Sequence, residues 1–469
     1  MATARIPLTD AKLFTNVDES VINAPAADMY DGYVDEAGAF NRRPGMSQFV
    51  DLGTDAPVDG IFYWPEVDYV IAVSKGTAYK VEEDGTTTSL GAGLQLNRSV
   101  SFVNCNPAGV HTCIMANGGR MFKTTGGTIA EITDADAPGN VTTVAFLDQY
   151  ILANNVETPY FYWSDVNDPS NWSALSFATA EARPDDVTGV FSSWEEVLVV
   201  GAQGIEVWYN DGSTPFVRRQ GGYIDRGSIA PGSVKRVDNT WLFIDNKRKL
   251  SAINGDSYQI LSTPIDKDLQ ALDTVDDAMA DYIEMEGRSF YVVHFPTENK
   301  TFCYDPKNQS FTKWGLWNTT SRSYDRFLGN CHAYALRWNK HLYGSRIDGK
   351  IYYFSDDYYL DGTDEIRSKL VTAPIDHGTN RLKRSRRLTI RGKRGYNAGG
   401  TLDIRVRDDG TGQFGNAYQL SIGAAGDYNF YHTLLNLGIY RSRQYEIVCT
   451  DNVPLIAGLA EEEVELLMR

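Results

Sequence analysis

The chain has 469 residues, 42% hydrophobic and 12% aromatic, with 61 acidic against 44 basic side chains and a formal charge of −17. That composition supports an ample folded core and argues against tight non-specific binding to phosphate backbones, which depends on neutralisation by cations. No run approaches eighteen consecutive apolar residues, and the opening MATARIPLTD has no apolar stretch, so neither a transmembrane helix nor a signal peptide is expected.

Residues 1–55 carry weak strand patterning, and NRRPG at 41–45 reads as a turn, so this segment is expected to be extended and laid over another surface. From about residue 58 a pattern recurs seven times: an apolar strand, a polar or Gly-containing turn, then a strand carrying aromatics or aliphatics. The apolar strands are YVIAVS (69–74), HTCIMA (111–116), YILANN (150–155), VLVVG (197–201), WLFID (241–245), FYVVHF (290–295) and HLYG (341–344). With Val70, Thr112, Ile151, Leu198, Leu242, Tyr291 and Leu342 as anchors, the steps are 42, 39, 47, 44, 49 and 51 residues. A further strand precedes each anchor strand and a weaker one closes each unit, which makes four strands. One such sheet cannot bury both apolar faces, but sheets stacked around an axis can. A period of about 40–50 residues with strands in every unit is therefore the signature of a β-propeller.

The expected fold class is all-β: a β-propeller of six or seven four-stranded blades over 56–375, followed by a small β-sandwich-like domain over 376–469. An end unit could belong to a neighbouring domain, which would leave six in the ring. One segment breaks the pattern: DKDLQALDTVDDAMADY (266–282) places Leu269, Leu272, Val275 and Met279 at helical spacing, which predicts a short amphipathic helix between two blades. Beyond 376 the strands LDIRVR, YQLSIG, YEIVCT and VELLMR alternate as in a sandwich.

Evidence for catalysis is thin. GxSxG, HExxH and Walker A are absent, and the six histidines are scattered. His294, inside the apolar VVHFP, reads as a core histidine. The five cysteines form no CxxC pair and no metal spacing, and their odd number suggests folding in a reducing cytosol. WD40 and Kelch signatures are absent. DDGTGQFG (408–415) only vaguely resembles a sialidase-type turn and reads as a hairpin turn. No catalytic residue, cofactor, metal or small-molecule substrate is expected.

One charged feature stands out. RLKRSRRLTIRGKRG (381–395) holds eight cations: Arg381, Lys383, Arg384, Arg386, Arg387, Arg391, Lys393 and Arg394. With strict alternation, Lys383, Ser385, Arg387 and Thr389 would oppose Leu382, Arg384, Arg386, Leu388 and Ile390. Both faces would then carry charge, which a strand buried in one subunit would not tolerate. The run is therefore expected either to contact DNA or an acidic neighbouring subunit, or to be a solvated strand face.

The segment at 263–315 (TPIDKDLQALDTVDDAMADYIEMEGRSFYVVHFPTENKTFCYDPKNQSFTKWG) resembles the packaged-DNA stabilisation proteins, the tail hub or nozzle family of P22-like short-tailed bacteriophages. RRPG (42–45), GVFSSWEEVLVVGAQGIEVWYN (189–210) and GIYRSRQYEIVCT (438–450) add to the likeness, whereas the basic run has no counterpart in it. The resemblance implies a non-enzymatic virion tail protein made in the bacterial host cytoplasm. It would form a ring, hexameric in the family, below the portal and adaptor, with the tail needle or fibres nearby. That ring would retain packaged double-stranded DNA and form the channel for its ejection. A propeller glycosidase or lectin, or an intracellular propeller adaptor, is the alternative.

Overall fold

A computed structural model describes residues 2–6, 28–180, 183, 185–212, 215–255, 257–285, 287–355, 357–393, 399–410, 412–423 and 428–467. Strands dominate. Five four-stranded antiparallel sheets follow one another, spanning residues 58–92, 101–131, 144–179, 187–224 and 235–260. A sixth unit is built from Met279–Met285, Arg288–Phe295, Lys300–Asp305 and Ser310–Lys313. A seventh takes Gly329–Ala335, Lys340–Ser345 and Lys350–Ser355, and borrows its fourth strand, Gly45–Asp51, from near the start of the chain. Every one of the seven sequence anchors lies on the second strand of its unit. These strands are apolar on both faces because each unit packs on two neighbours; Tyr69–Ser74, for example, is buried throughout.

The seams between units show how they are arranged. Ile71 and Trp64 of the first meet Cys113 and Met115 of the second, and Ile114 of the second meets Ile151 of the third. The third and fourth join through Leu152, Phe161 and Val199, and the fourth and fifth through Val200 and Phe243. Leu242 of the fifth packs with Tyr291 and Val293 of the sixth, and Val292 of the sixth with Tyr343 of the seventh. Val58, Ile61 and Val70 of the first then meet Leu342 and Ile351 of the seventh, so the last seam returns to the first unit. The first strands line a central cavity of about 510 Å³, bordered by Phe62, Phe102, Phe191, Trp241, Lys235 and Tyr334.

Closure of the seventh unit depends on Gly45. It pairs with Ser355 and its amide donates to the Tyr358 carbonyl. A Cβ at this position would sit 2.4 Å from the Leu360 carbonyl oxygen and 2.5 Å from its nitrogen, both backbone atoms that cannot rotate away. The RRPG turn thus ends in glycine because two backbone segments touch there.

The sixth unit does not stop at its fourth strand. It continues through Asp28–Tyr30, Ser368–Val371, Arg443–Cys449, Thr401–Asp408 and Tyr418–Ser421 into one nine-stranded sheet. Over part of it lies a second sheet in the order Gly32–Val34, Phe40–Arg42, Ile456–Leu466, Lys383–Lys393, Asn429–Tyr440, with Ala2–Ile6 also paired to Ile456–Leu466. Leu388, Ile390 and Phe430 of this second sheet bury against Leu402, Ile404 and Ile447 of the first. The expected sandwich is present. It is hydrogen-bonded into the propeller through Asp28–Tyr30 and Ser368–Val371, so the composition break near 376 falls inside a continuous body.

The helix expected over 266–282 covers only Asp266–Gln270, after a 3-10 turn at Thr263–Ile265. Leu269, Leu272 and Val275 are buried as the spacing requires. The Glu298 carboxylate accepts the amides of Asp273 and Thr274, which holds the chain in a turn there. Met279 then opens the next strand. Among the described residues no helix is long and apolar enough to cross a membrane.

Candidate functional site

The basic run forms the strand Lys383–Lys393, central in its sheet between Asn429–Tyr440 and Ile456–Leu466. The expected strict alternation is broken by a register shift between Ser385 and Arg387. This bulge re-phases the side chains. Lys383, Ser385, Leu388 and Ile390 are buried, while Arg384 and Arg386 are half-exposed and Arg387, Arg391 and Lys393 exposed. A single-subunit fold therefore accommodates the run, contrary to the expectation that charge on both faces would forbid it.

The strand Ile456–Leu466 supplies the counter-charges from AEEEVE. Arg386 reaches Glu465 at 2.5 Å and Arg384 the same carboxylate at 3.6 Å. Arg387 lies 3.5 Å from Glu463, and Arg391 3.4 Å from Glu461. Lys383 points inward and donates to the carbonyls of Thr379 and Arg381, with burial lowering its pKa. Arg381 is exposed, and Arg394 lies outside the described residues. The seven described cations thus divide into a buried cap, a surface charge ladder and exposed flanks.

Beneath the ladder sits a polar cluster that the sequence did not single out. Glu462, fully buried, accepts from the Tyr440 hydroxyl at 2.7 Å, lies 3.0 Å from His377 Nε2 and 3.6 Å from Arg443. Arg443 also grips Asp408 through two bonds of 2.6 and 2.8 Å and stacks 4.0 Å from the Tyr440 ring centroid. Burial alone would raise the Glu462 pKa; its hydrogen bonds and the Arg443 charge bring it below the ordinary value. The group is closed and charged: Glu462 Oε2 is hydrogen-bonded, whereas Glu462 Oε1 and Arg443 Nη1 face each other at 3.6 Å without a hydrogen bond. Opposite charges paired in the interior offset part of their burial cost.

Arg42 and Arg43 anchor the other end. Arg43 is fully buried, pairs with Asp31 at 2.9 Å and with Asp361 through two bonds, and lies over the Phe327 and Trp314 rings. Burial would lower its pKa, but the two carboxylates raise it. Arg42, on the sandwich strand Phe40–Arg42, donates to backbone carbonyls of Val453, Ile366 and Asp451 and fastens the loops there. Removing one partner of a buried ion pair costs about 3–5 kcal/mol. RRPG is therefore a structural signature.

Groups with chemical potential are enclosed. His294 is fully buried, with its ring nitrogens 3.1 Å from the Thr301 hydroxyl and 3.2 Å from Asp281. Asp, His and Thr in sequence resemble a nucleophile arrangement, but the histidine is fully buried and the threonine nearly so, leaving no room for a substrate between them. Burial lowers the His294 pKa, and lowers that of His332, stacked on His341 beside the central cavity, to about 3. Burial pushes all five thiols up, Cys105 to about 11. Among the described residues no three His, Cys, Asp or Glu side chains converge to hold a metal.

A family profile described as "Bacteriophage P22 Gp10, beta-propeller" matches residues 27–359. The chain belongs to this family. The Gp10 match takes in all seven four-stranded units together with the RRPG turn and its closing strand, and stops before the sandwich strands that follow Ser368. A search of curated proteins found no match. Among solved structures, the WD40 domain of Neurospora crassa Pan2 matches at 9% identity over 64% of this chain and 90% of that one, with a TM-score of 0.43. An extracellular domain of a one component system from Bacteroides thetaiotaomicron matches at 9% identity over 88% of this chain and 61% of that one, with a TM-score of 0.44. Family membership makes this Gp10-like chain a bacteriophage structural protein built on a β-propeller.

Proposed function

We propose that the protein is the tail hub of a short-tailed phage. In this reading it is a disc of seven blades that assembles into a ring, a hexamer as in the P22-like family, below the portal and adaptor. The ring holds packaged DNA in place and provides the conduit for its release, with needle or fibre proteins attached nearby. It acts in the virion tail by shape and charge, without catalysis or a cofactor, after assembly in the host cytoplasm. The propeller spans about 56–375, with 1–55 and 376–469 as its clasp and sandwich. The observation that carries this reading is the family match over 27–359. The formal charge of −17 suits it, since a wall of like charge keeps DNA from adhering. The lumen is acidic, and Arg384 and Arg387 turn towards subunit contacts. The experiment is cryo-EM of intact particles. A ring of this chain on the tail axis beneath the portal is the expected result. Its absence from particles, together with glycan binding or hydrolysis by the purified chain, would overturn the reading in favour of a carbohydrate-active propeller.

A further inference from the structure

Two sheet edges on opposite sides of the molecule carry complementary surfaces. The first is Asn429–Tyr440, a twelve-residue strand with no neighbour along its outer edge among the described residues. Its exposed Tyr431, Leu435 and Ile439 stand opposite Arg391, Arg387 and Arg384 in the register, so an apolar column runs beside a basic one. Leu435 is 65% exposed. A long apolar edge of this kind invites another chain and is normally covered in a finished assembly.

The second is the outer strand of the third unit, Asp168–Thr179, also twelve residues long and also the edge of its sheet. It presents Leu175, 85% exposed, and Phe177. From residue 124 to 180 the chain contains no lysine or arginine at all. Exposed Asp136, Asp148, Glu157 and Asp165 lie in this span. The cations that reach it from outside are Arg120, paired with Glu131, and Lys123, bonded to Ser170, and the balance is an acidic sector with an apolar edge.

The sandwich grows from the sixth unit, and the third unit is three steps from it one way round and four the other. The two edges therefore face away from each other, and one copy cannot satisfy its own pair. We infer that neighbouring copies meet head to tail, the Asn429–Tyr440 edge with its arginine column on one subunit docking against the Asp168–Thr179 edge of the next. This rests on the ring reading above. A heterologous contact repeated around an axis generates a closed ring where the rotation closes. Two-fold pairing of Asn429–Tyr440 with itself would bring arginine columns together. The four arginines Arg384, Arg386, Arg387 and Arg391 face only three carboxylates, Glu461, Glu463 and Glu465, so the column keeps a net positive charge. DNA is a poor occupant because a phosphate backbone offers nothing to the exposed Tyr431, Leu435 and Ile439 beside it.

The test uses particles carrying Leu175→Cys, Leu435→Cys or both, treated with a short bis-maleimide, with a lysine-reactive reagent as a parallel arm. Both positions are surface sites, and thermal melting of each purified variant checks that it folds as wild type does. The double variant is expected to give a ladder of dimers, trimers and higher species, while wild type and both single variants stay monomeric with bis-maleimide. A dimer from Leu435→Cys alone means two-fold pairing and overturns the inference. Closed oligomers joined through lysines but no ladder from the double variant overturn it while leaving the ring intact. If neither reagent joins chains in particles, the ring reading itself falls and takes the inference with it.

Discussion

At the scale of single residues, one buried carboxylate makes the cost of an interior charge measurable. Asp59 lies on the strand Val58–Trp64, is 5% exposed, and its Oδ2 has no hydrogen-bond partner. Burial raises its pKa to about 6, against about 3.9 in an unfolded chain. Between those values the folded protein binds a proton that the unfolded chain does not. Asp59 therefore adds stability at low pH, and that contribution is lost as pH rises through about 6. Desolvation lowers the pKa values of the buried His294 and the partly buried His332 and His341, which act in the opposite sense as pH falls. Their effect is common to wild type and an Asp59→Asn variant and cancels in the difference. The variant is expected to melt higher than wild type at pH 7.5, by a margin that shrinks as pH approaches 4.5. Scanning calorimetry at both pH values checks this; a margin independent of pH would show that Asp59 does not titrate as its burial implies.

At the scale of elements, the clasp that closes the seventh unit is the most exacting piece. Gly45→Ala forces a methyl group into backbone atoms of Leu360. Overpacking against groups that can yield costs about 1–3 kcal/mol; here the neighbours are backbone, so the upper end of that range is expected, read as a lower urea midpoint with an unchanged slope. An unchanged midpoint would mean that the clasp contributes little to folding. The elements also show what could be read in the sequence. All seven anchors fell on second strands because a strand packed on both faces leaves a continuous apolar run, and periodicity reports burial directly. The helix at 266–282 was over-long in expectation because Leu269, Leu272 and Val275 satisfy helical spacing while Glu298, over twenty residues away, holds the chain in a turn. The clasp itself was not legible, since the pairing of Gly45–Asp51 with Lys350–Ser355 crosses some three hundred residues. The basic run stood out by composition, but its meaning did not. A one-residue bulge and a glutamate strand seventy residues away decide it, and neither leaves a local signal.

At the scale of the whole molecule, charge is sorted by place. The third unit is an acidic sector without cations, and the sandwich carries the densest run of arginines, already zipped to glutamates. This bears on how such a protein could handle DNA. Non-specific affinity comes from phosphates displacing counterions at bare cations, and it weakens steeply with added salt. Here Arg384, Arg386, Arg387 and Arg391 have carboxylates within 4 Å, so a phosphate would have to displace Glu461, Glu463 or Glu465 to reach them. A conduit that holds DNA by enclosure needs no such contact, and a sticky wall would slow ejection. The purified chain is therefore expected to bind duplex DNA more weakly than about 10⁻⁴ M at physiological salt, the weak end of ordinary non-specific binding. Fluorescence anisotropy with a labelled duplex measures this. Micromolar binding that fades with salt and disappears on Arg387→Glu with Arg391→Glu would mean that the ladder opens to admit phosphate, and the acidic conduit would have to give way to a wall that grips.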